Sequence, residues 1–223
     1  MNKSIRNCSL FFIRHGKLNL PYKNHNEMPF EILVDLASGK LNPPIDINFN
    51  NCLINEMSLI IPFRKIKNIY LSPSERCETT ASLIANFTYR HFRKRPRFIV
   101  TPELKEIEFD LRKIYSPSRR KHFKIETVND KVFAAMAAGI HCEHALDTYN
   151  RVKRIFQRLN KKQEAAESLL ITHDFLMRVI EIYIKNHGAA NPLITYKDLK
   201  NTKRNQYLHG FATDYLLSNF CPF

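Results

Sequence analysis

The sequence predicts an α/β fold: a mostly parallel central sheet with helices on both faces. Two observations predict it. Short apolar runs that stop abruptly on a polar or charged turn recur four times, with helical patterns between them. Strands alternating with helices imply crossover connections, which leave the strands parallel and cover both faces of the sheet. No Gly/Ser/Pro-rich linker interrupts the 223 residues, so the chain is expected to form a single domain, residues 1–223, around one sizeable core.

The first run is Ser9 to Gly16, SLFFIRHG, five apolar or β-rich residues that end on Arg14, His15 and Gly16. Such a run reads as a buried strand delivering side chains to its end. The second, Asn68 to Leu71, continues through Ser72-Pro73-Ser74 into ERCETTASLI. This is a strand, a turn with a serine cap and a helix, with Arg76 in the first helical turn. The third, Phe98 to Val100, passes through Thr101-Pro102 into ELKEIEFDL. The fourth, Ser168 to Thr172, breaks at His173-Asp174 and leads into a helix closed near Gly188. Ahead of it, Leu146, Tyr149, Val152, Ile155, Phe156 and Leu159 keep helical spacing and predict a crossover helix.

Two stretches break the pattern. Lys40 to Asn51, KLNPPIDINFNN, is rich in Pro and Asn and is expected to be a loop. Arg112 to Asp130 is polar, basic and weakly periodic, as expected of an insertion or lid spanning roughly residues 110–140. Either could border a site.

Composition limits the function classes. With 44% hydrophobic and 11% aromatic residues, the chain is globular in type, without repeats or low-complexity tracts. The apolar run behind Lys3 and Arg6 is too short for a signal-peptide core, and no later run would span a bilayer, so a cytoplasmic protein without membrane partners is expected. Five scattered cysteines with no C-x-x-C pair suggest reduced thiols rather than a disulfide framework or a zinc knuckle. The net charge of +14 is concentrated in runs such as Arg90 to Arg97 and Arg119 to His122. That field favours anionic partners, although charge runs of this kind are most often solvated surface.

If the strands are parallel, Arg14, His15, Arg76, the region of Glu106 and His173 all fall at carboxyl ends of strands, where α/β proteins keep their sites. Two arginines, two histidines and a carboxylate make a set suited to phosphoryl transfer. Guanidinium groups grip phosphate oxygens bidentately and neutralise their charge without a metal. A neutral imidazole, here His15, can attack phosphorus in line, and a carboxyl group can protonate the departing alkoxide. His173 would donate to the same phosphoryl oxygens.

RHG after the first strand, SPSERCETTA after the second, LKEIEF and ITHD, in that order, resemble the successive motifs of the histidine phosphatase superfamily, phosphoglycerate mutase-like branch. The resemblance runs from Ser9 to about Ile184. It implies a three-layer α/β sandwich and phosphohistidine chemistry without cofactor or metal. By similarity, Arg14 and His15 match the first arginine and the nucleophile, Arg76 the second arginine, His173 the second histidine and Glu106 the proton donor. Two departures stand out. RHGKLNLPY carries Lys17 and Leu18 where an acidic and a hydroxyl residue are usual, and its Asn19 comes early, so Lys17 and Asn19 are the candidate substrate contacts at that edge. The last motif reads His173-Asp174 rather than His-Gly, which makes Asp174 a substrate contact and a rival acid; Glu108 is a third carboxylate to weigh.

The sequence leaves three functional readings. The first is a metal-independent phosphatase acting on a small anionic phosphorylated metabolite through phospho-His15. The second is a mutase-type phosphotransferase of the same chemistry. The third is a non-catalytic basic adaptor on the same fold, for which the intact residue set offers no reason; nucleic acid is accordingly not expected as a partner, and a second copy of the chain is the remaining protein partner considered. His141-Cys142-Glu143-His144 invites a zinc reading, but no second ligand pair at metal spacing accompanies it. His144 was also considered as a contact to the leaving group.

Overall fold

A computed structural model describes residues 8–22, 25–115, 124–161, 167–190, 192–202 and 210–215. A five-stranded sheet runs through it in the order β3-β2-β4-β1-β5. β1 (Cys8–Arg14), β2 (Asn68–Leu71), β3 (Arg97–Val100) and β4 (Ser168–Thr172) are mutually parallel. β5 (Gly210–Tyr215) adds an antiparallel edge against β1, a strand the sequence reading does not anticipate. Parallel neighbours put the carboxyl ends of β1 to β4 on one rim of the sheet.

Alternate side chains divide the sheet between two cores. Leu10, Phe12, Tyr70 and Leu170 face the core shared with α5 (Ile125–Ala138), α6 (Ala145–Lys161) and α7 (Asp174–Lys185). Phe11, Ile13, Ile69 and Ile171 face the core shared with α2 (Ile47–Met57) and α3 (Glu75–Phe92). The three-layer architecture expected from the sequence is therefore present. β4 lies between β2 and β1 and is buried along its whole length, which explains its unbroken apolar run.

The stretch Lys40 to Asn51 departs from expectation. It is a loop only as far as Asp46, whose carboxylate accepts a hydrogen bond from the Phe49 amide at 3.0 Å and caps α2. The Pro and Asn content that suggested a loop belongs to the lead-in and to the capped first turns. Helix α1 (Phe30–Ala37) is likewise an addition to the sequence reading. Within the span 110–140, the short α4 (Leu111–Ile114) comes first, and α5 then buries Val128, Val132, Phe133 and Met136 on one face. Arg119, Arg120, Lys121 and His122, between α4 and α5, lie outside the described residues.

The basic run Arg90 to Arg97 closes α3 and leads into β3. Arg93 terminates the helix in the left-handed conformation (φ 56°), and Arg95 lies over the Tyr89 ring at 4.4 Å. Cations at a helix carboxyl end are favoured by the helix dipole, so this run has a structural rationale of its own. Among the described residues no helix is long and apolar enough to cross a membrane.

Candidate active site

The rim of the sheet brings the sequence-derived residues into one pocket. Arg14, His15, Arg76, Glu106 and His173 all line it. The register explains how. Arg14 pairs with Thr172 and Leu71 with Ile171, so β1, β2 and β4 end level with one another. The His15 amide continues the ladder by donating to the Thr172 carbonyl at 2.9 Å, and the Ser72 amide does the same to Ile171 at 3.1 Å. His15 and His173 are consequently neighbours, ring centroids 5.2 Å apart and edge to face.

His15 is almost wholly buried, and its Nδ1 lies 2.8 Å from the Gly16 carbonyl oxygen. A carbonyl can only accept, so Nδ1 carries the proton and Nε2 presents the lone pair. Burial, and after it competition with the neighbouring His173 for a proton and the positive potential of Arg14 and Arg76, holds the imidazole well below its usual pKa. The ring is neutral at neutral pH, as in-line attack on phosphorus requires.

Gly16 is needed for space. A Cβ there would lie 2.7 Å from Oδ1 of the fully buried Asn50. The Asn50 amide in turn holds the backbone of Lys17 in both directions, Oδ1 accepting from its amide at 2.8 Å and Nδ2 donating to its carbonyl at 3.0 Å. Thr80 fixes the other side, accepting from the Gly16 amide at 2.9 Å while donating to the Arg76 carbonyl at 2.6 Å. One hydroxyl thus ties the loop after His15 to the turn that carries Arg76.

Arg76 stands in the first turn of α3, and its buried Nε has no hydrogen-bond partner among the described residues. A guanidinium at the positive end of a helix is an unfavourable placement until an anion shares the site. His173 is also buried, with Nε2 2.9 Å from the Ser72 hydroxyl and Nδ1 without a partner among the described residues. Burial first, then Arg76 and Arg14, keeps it neutral as well. A Ser72 hydroxyl that donates into Nε2 would leave the single ring proton on Nδ1.

Of the three carboxylates weighed from sequence, Glu106 fits an acid best. Withdrawal from water raises its pKa, and the nearby Asp174 charge adds to the rise; amide donors from Ile107 and Leu176 oppose it. Glu106 makes no ion pair among the described residues, whereas Asp174, also in the pocket wall, pairs with Arg178 at 3.3 Å. Glu108 is exposed, paired with Lys105, and held below the usual carboxylate range by that lysine.

Lys17 and Asn19 are not among the pocket-lining residues. The Lys17 ammonium lies over the Phe49 ring at 4.3 Å, and the exposed Asn19 is held through its amide to the Pro44 carbonyl. Sequence reasoning missed Asn50, Thr80 and Arg151. The buried Arg151 of α6 grips the Glu143 carboxylate at 3.0 and 2.8 Å and donates to the carbonyls of Glu103 at 3.0 Å and Lys105 at 2.6 Å, fixing the loop that carries Glu106. In sequence nothing separates Arg151 from its helix neighbours Arg154 and Arg158. The same contacts account for His141 to His144: Glu143 serves Arg151, and the His144 Nδ1 accepts from the Leu146 amide at 3.3 Å. No cluster of potential metal ligands occurs among the described residues, and His144 does not line the pocket.

The sequence profile of the histidine phosphatase superfamily (branch 1) matches residues 60–205. The chain belongs to this superfamily. The matched stretch contains Arg76, Glu106 and His173; Arg14 and His15 precede it and join the set through the β1–β4 pairing. Solved structures similar to this chain include mycobacterial hydrolase 2 (TM-score 0.58, 14% identity, covering 89% of this chain and 78% of that one). A mycobacterial glucosyl-3-phosphoglycerate phosphatase complexed with inorganic phosphate is also similar (TM-score 0.55, 14% identity, 86% and 83% covered), as is Bacillus stearothermophilus YhfR (TM-score 0.53, 16% identity, 84% and 87% covered). At these identities the likeness concerns the fold. A comparison with curated proteins gives no match.

Proposed function

We propose that this histidine phosphatase hydrolyses phosphate monoesters through a phosphohistidine on His15, without a metal. The observation that carries the reading is the His15 Nδ1 to Gly16 carbonyl hydrogen bond, which commits Nε2 of a neutral, buried imidazole to nucleophilic attack. Arg14 and Arg76 supply the charge that the phosphoryl oxygens need, and Nδ1 of His173, without a partner among the described residues, supplies a further donor.

In the first step Nε2 of His15 forms a bond to phosphorus as the ester P–O bond breaks, and the departing alkoxide takes the proton from Glu106. In the second, Glu106, now a carboxylate, accepts a proton from water as that water attacks phosphorus and the P–N bond breaks. Inorganic phosphate leaves, and both side chains return to their starting states. Hydrolysis is favoured over mutase chemistry because the described cations near the site are engaged elsewhere: Lys17 with Phe49, Arg112 with Glu31 at 2.7 Å, and Lys113 with Asp110 at 3.5 Å. A mutase must retain its anionic product for a second transfer. The test is phosphate release from an aryl phosphate in EDTA, wild type against His15→Ala. Turnover in EDTA that the substitution abolishes supports the reading; turnover that survives His15→Ala, or that EDTA abolishes, refutes it.

A further inference from the structure

Once a phosphoryl group occupies Arg14, His15, Arg76 and His173, the rest of the pocket wall must surround the leaving group. That wall is apolar. Leu18, together with Leu33, Leu36 and Ala37 of α1, forms one part of it, and Phe109, Ile125 and Phe175 form another. The aromatic part is braced: Phe175 packs edge to face on Phe109 at 5.5 Å and on Phe133 at 5.6 Å. Only two polar side chains outside the catalytic set line the described wall. One is Asp174, whose carboxylate is paired with Arg178 at 3.3 Å. The other is Asn129, whose amide makes no hydrogen bond among the described residues. No lysine line the pocket among the described residues, and Arg14 and Arg76 are its only described arginines.

We infer that the substrates are phosphate monoesters of uncharged, mainly apolar alcohols, alkyl or aryl, with room for one hydrogen-bonding group at Asn129. The inference rests on the phosphatase reading above and narrows it. A leaving group carrying a carboxylate or second phosphate would meet leucine and phenylalanine, with no further described cation in the wall to receive it. An alkyl chain would instead lose apolar surface to water-free contact with α1 and α5.

Ethyl, butyl and hexyl phosphate test this well, because their alcohols have similar acidity and differ chiefly in apolar surface. Burial predicts that kcat/KM rises by about threefold per added methylene, with 3-phosphoglycerate far below hexyl phosphate. Ala37→Lys, at the half-exposed carboxyl end of α1 where a cation suits the helix dipole, should lower the preference for hexyl phosphate over 3-phosphoglycerate about tenfold. A series flat in chain length, or 3-phosphoglycerate hydrolysed as well as hexyl phosphate, with activity still lost in His15→Ala, overturns this inference and leaves the phosphatase reading standing. No turnover of any of these esters would overturn both.

Discussion

The Cβ that Gly16 lacks would lie 2.7 Å from Oδ1 of Asn50, an amide already fixed by its hydrogen bonds to Lys17 and Asp46. The glycine of RHG is thus required by a residue 34 positions away in sequence, on helix α2. The bond from the Lys17 amide to Asn50 fixes the Gly16–Lys17 peptide, whose carbonyl is the hydrogen-bond acceptor of His15.

Gly16→Ala should therefore destabilise the protein by about 1–3 kcal/mol through overpacking and reduce kcat further by displacing the His15 acceptor. Thermal unfolding and steady-state kinetics check both effects. In an Asn50→Ala background the added methyl has space, so the stability cost of Gly16→Ala should shrink. Additive costs would show that the two residues are not coupled.

Glu106→Gln should lower kcat by about 10²–10⁴ for alkyl phosphates and much less for aryl phosphates whose leaving groups need no proton. Because the folded-state pKa of Glu106 is raised, the acid form survives above the ordinary carboxylate range. Activity should fall as pH rises through that raised value, and this descending limb should vanish in Glu106→Gln. The linkage has the same sign. Stability contributed by the protonated group is fully present below its unfolded pKa and is lost as pH rises through the folded one, so Glu106→Gln should also flatten the melting temperature over that window.

His15 and His173 work in the opposite direction. Both are held well below the usual histidine pKa, so the stability they contribute is present above the unfolded value of about 6.5 and is lost as pH falls through their lowered folded values. His15→Asn and His173→Asn should each be less acid-sensitive than the wild type in thermal unfolding below that pH. An unchanged acid limb would show that neither imidazole is buried as a neutral ring.

Arg76→Ala should cost about 10²–10³ in kcat without lowering the melting temperature, since it removes a cation from the positive end of α3. Added inorganic phosphate should stabilise the wild type and fail to stabilise this variant. Equal stabilisation of both would place the phosphoryl group elsewhere.

Arg151→Met should destabilise the protein by about 3 kcal/mol, because the Glu143 carboxylate is left half-buried without its partner. It should also lower kcat more for alkyl than for aryl phosphates, since what it positions is the loop of Glu106. A loss equal for both ester types would confine Arg151 to a structural role.

How much of this is legible in sequence follows from how local each signal is. The four strand ends were legible because each joins a continuous apolar run to an abrupt polar stop, and Arg14, His15, Arg76, Glu106 and His173 sit at those stops. Asn50 was hidden because it reads as one more asparagine in a Pro- and Asn-rich stretch; only the Asp46 cap turns that stretch into a helix. Arg151 looked like a solvated helix charge, and its burial depends on carbonyls supplied by the distant segment Glu103 to Lys105. Lys17 was selected by adjacency to His15, yet its chain turns toward Phe49 because the Asn50 clamp sets the backbone direction there. The pocket's apolar wall is assembled from several separate segments and has no local signature at all.

The most direct test is to trap the phosphoryl-enzyme during turnover, locate it by peptide mapping under alkaline conditions, and assign the nitrogen by phosphorus NMR. The hydrogen bond from Nδ1 to Gly16 predicts one phosphoryl group on His15, bonded to Nε2. Phosphate release with no adduct on His15, or an adduct bonded through Nδ1, would contradict the account.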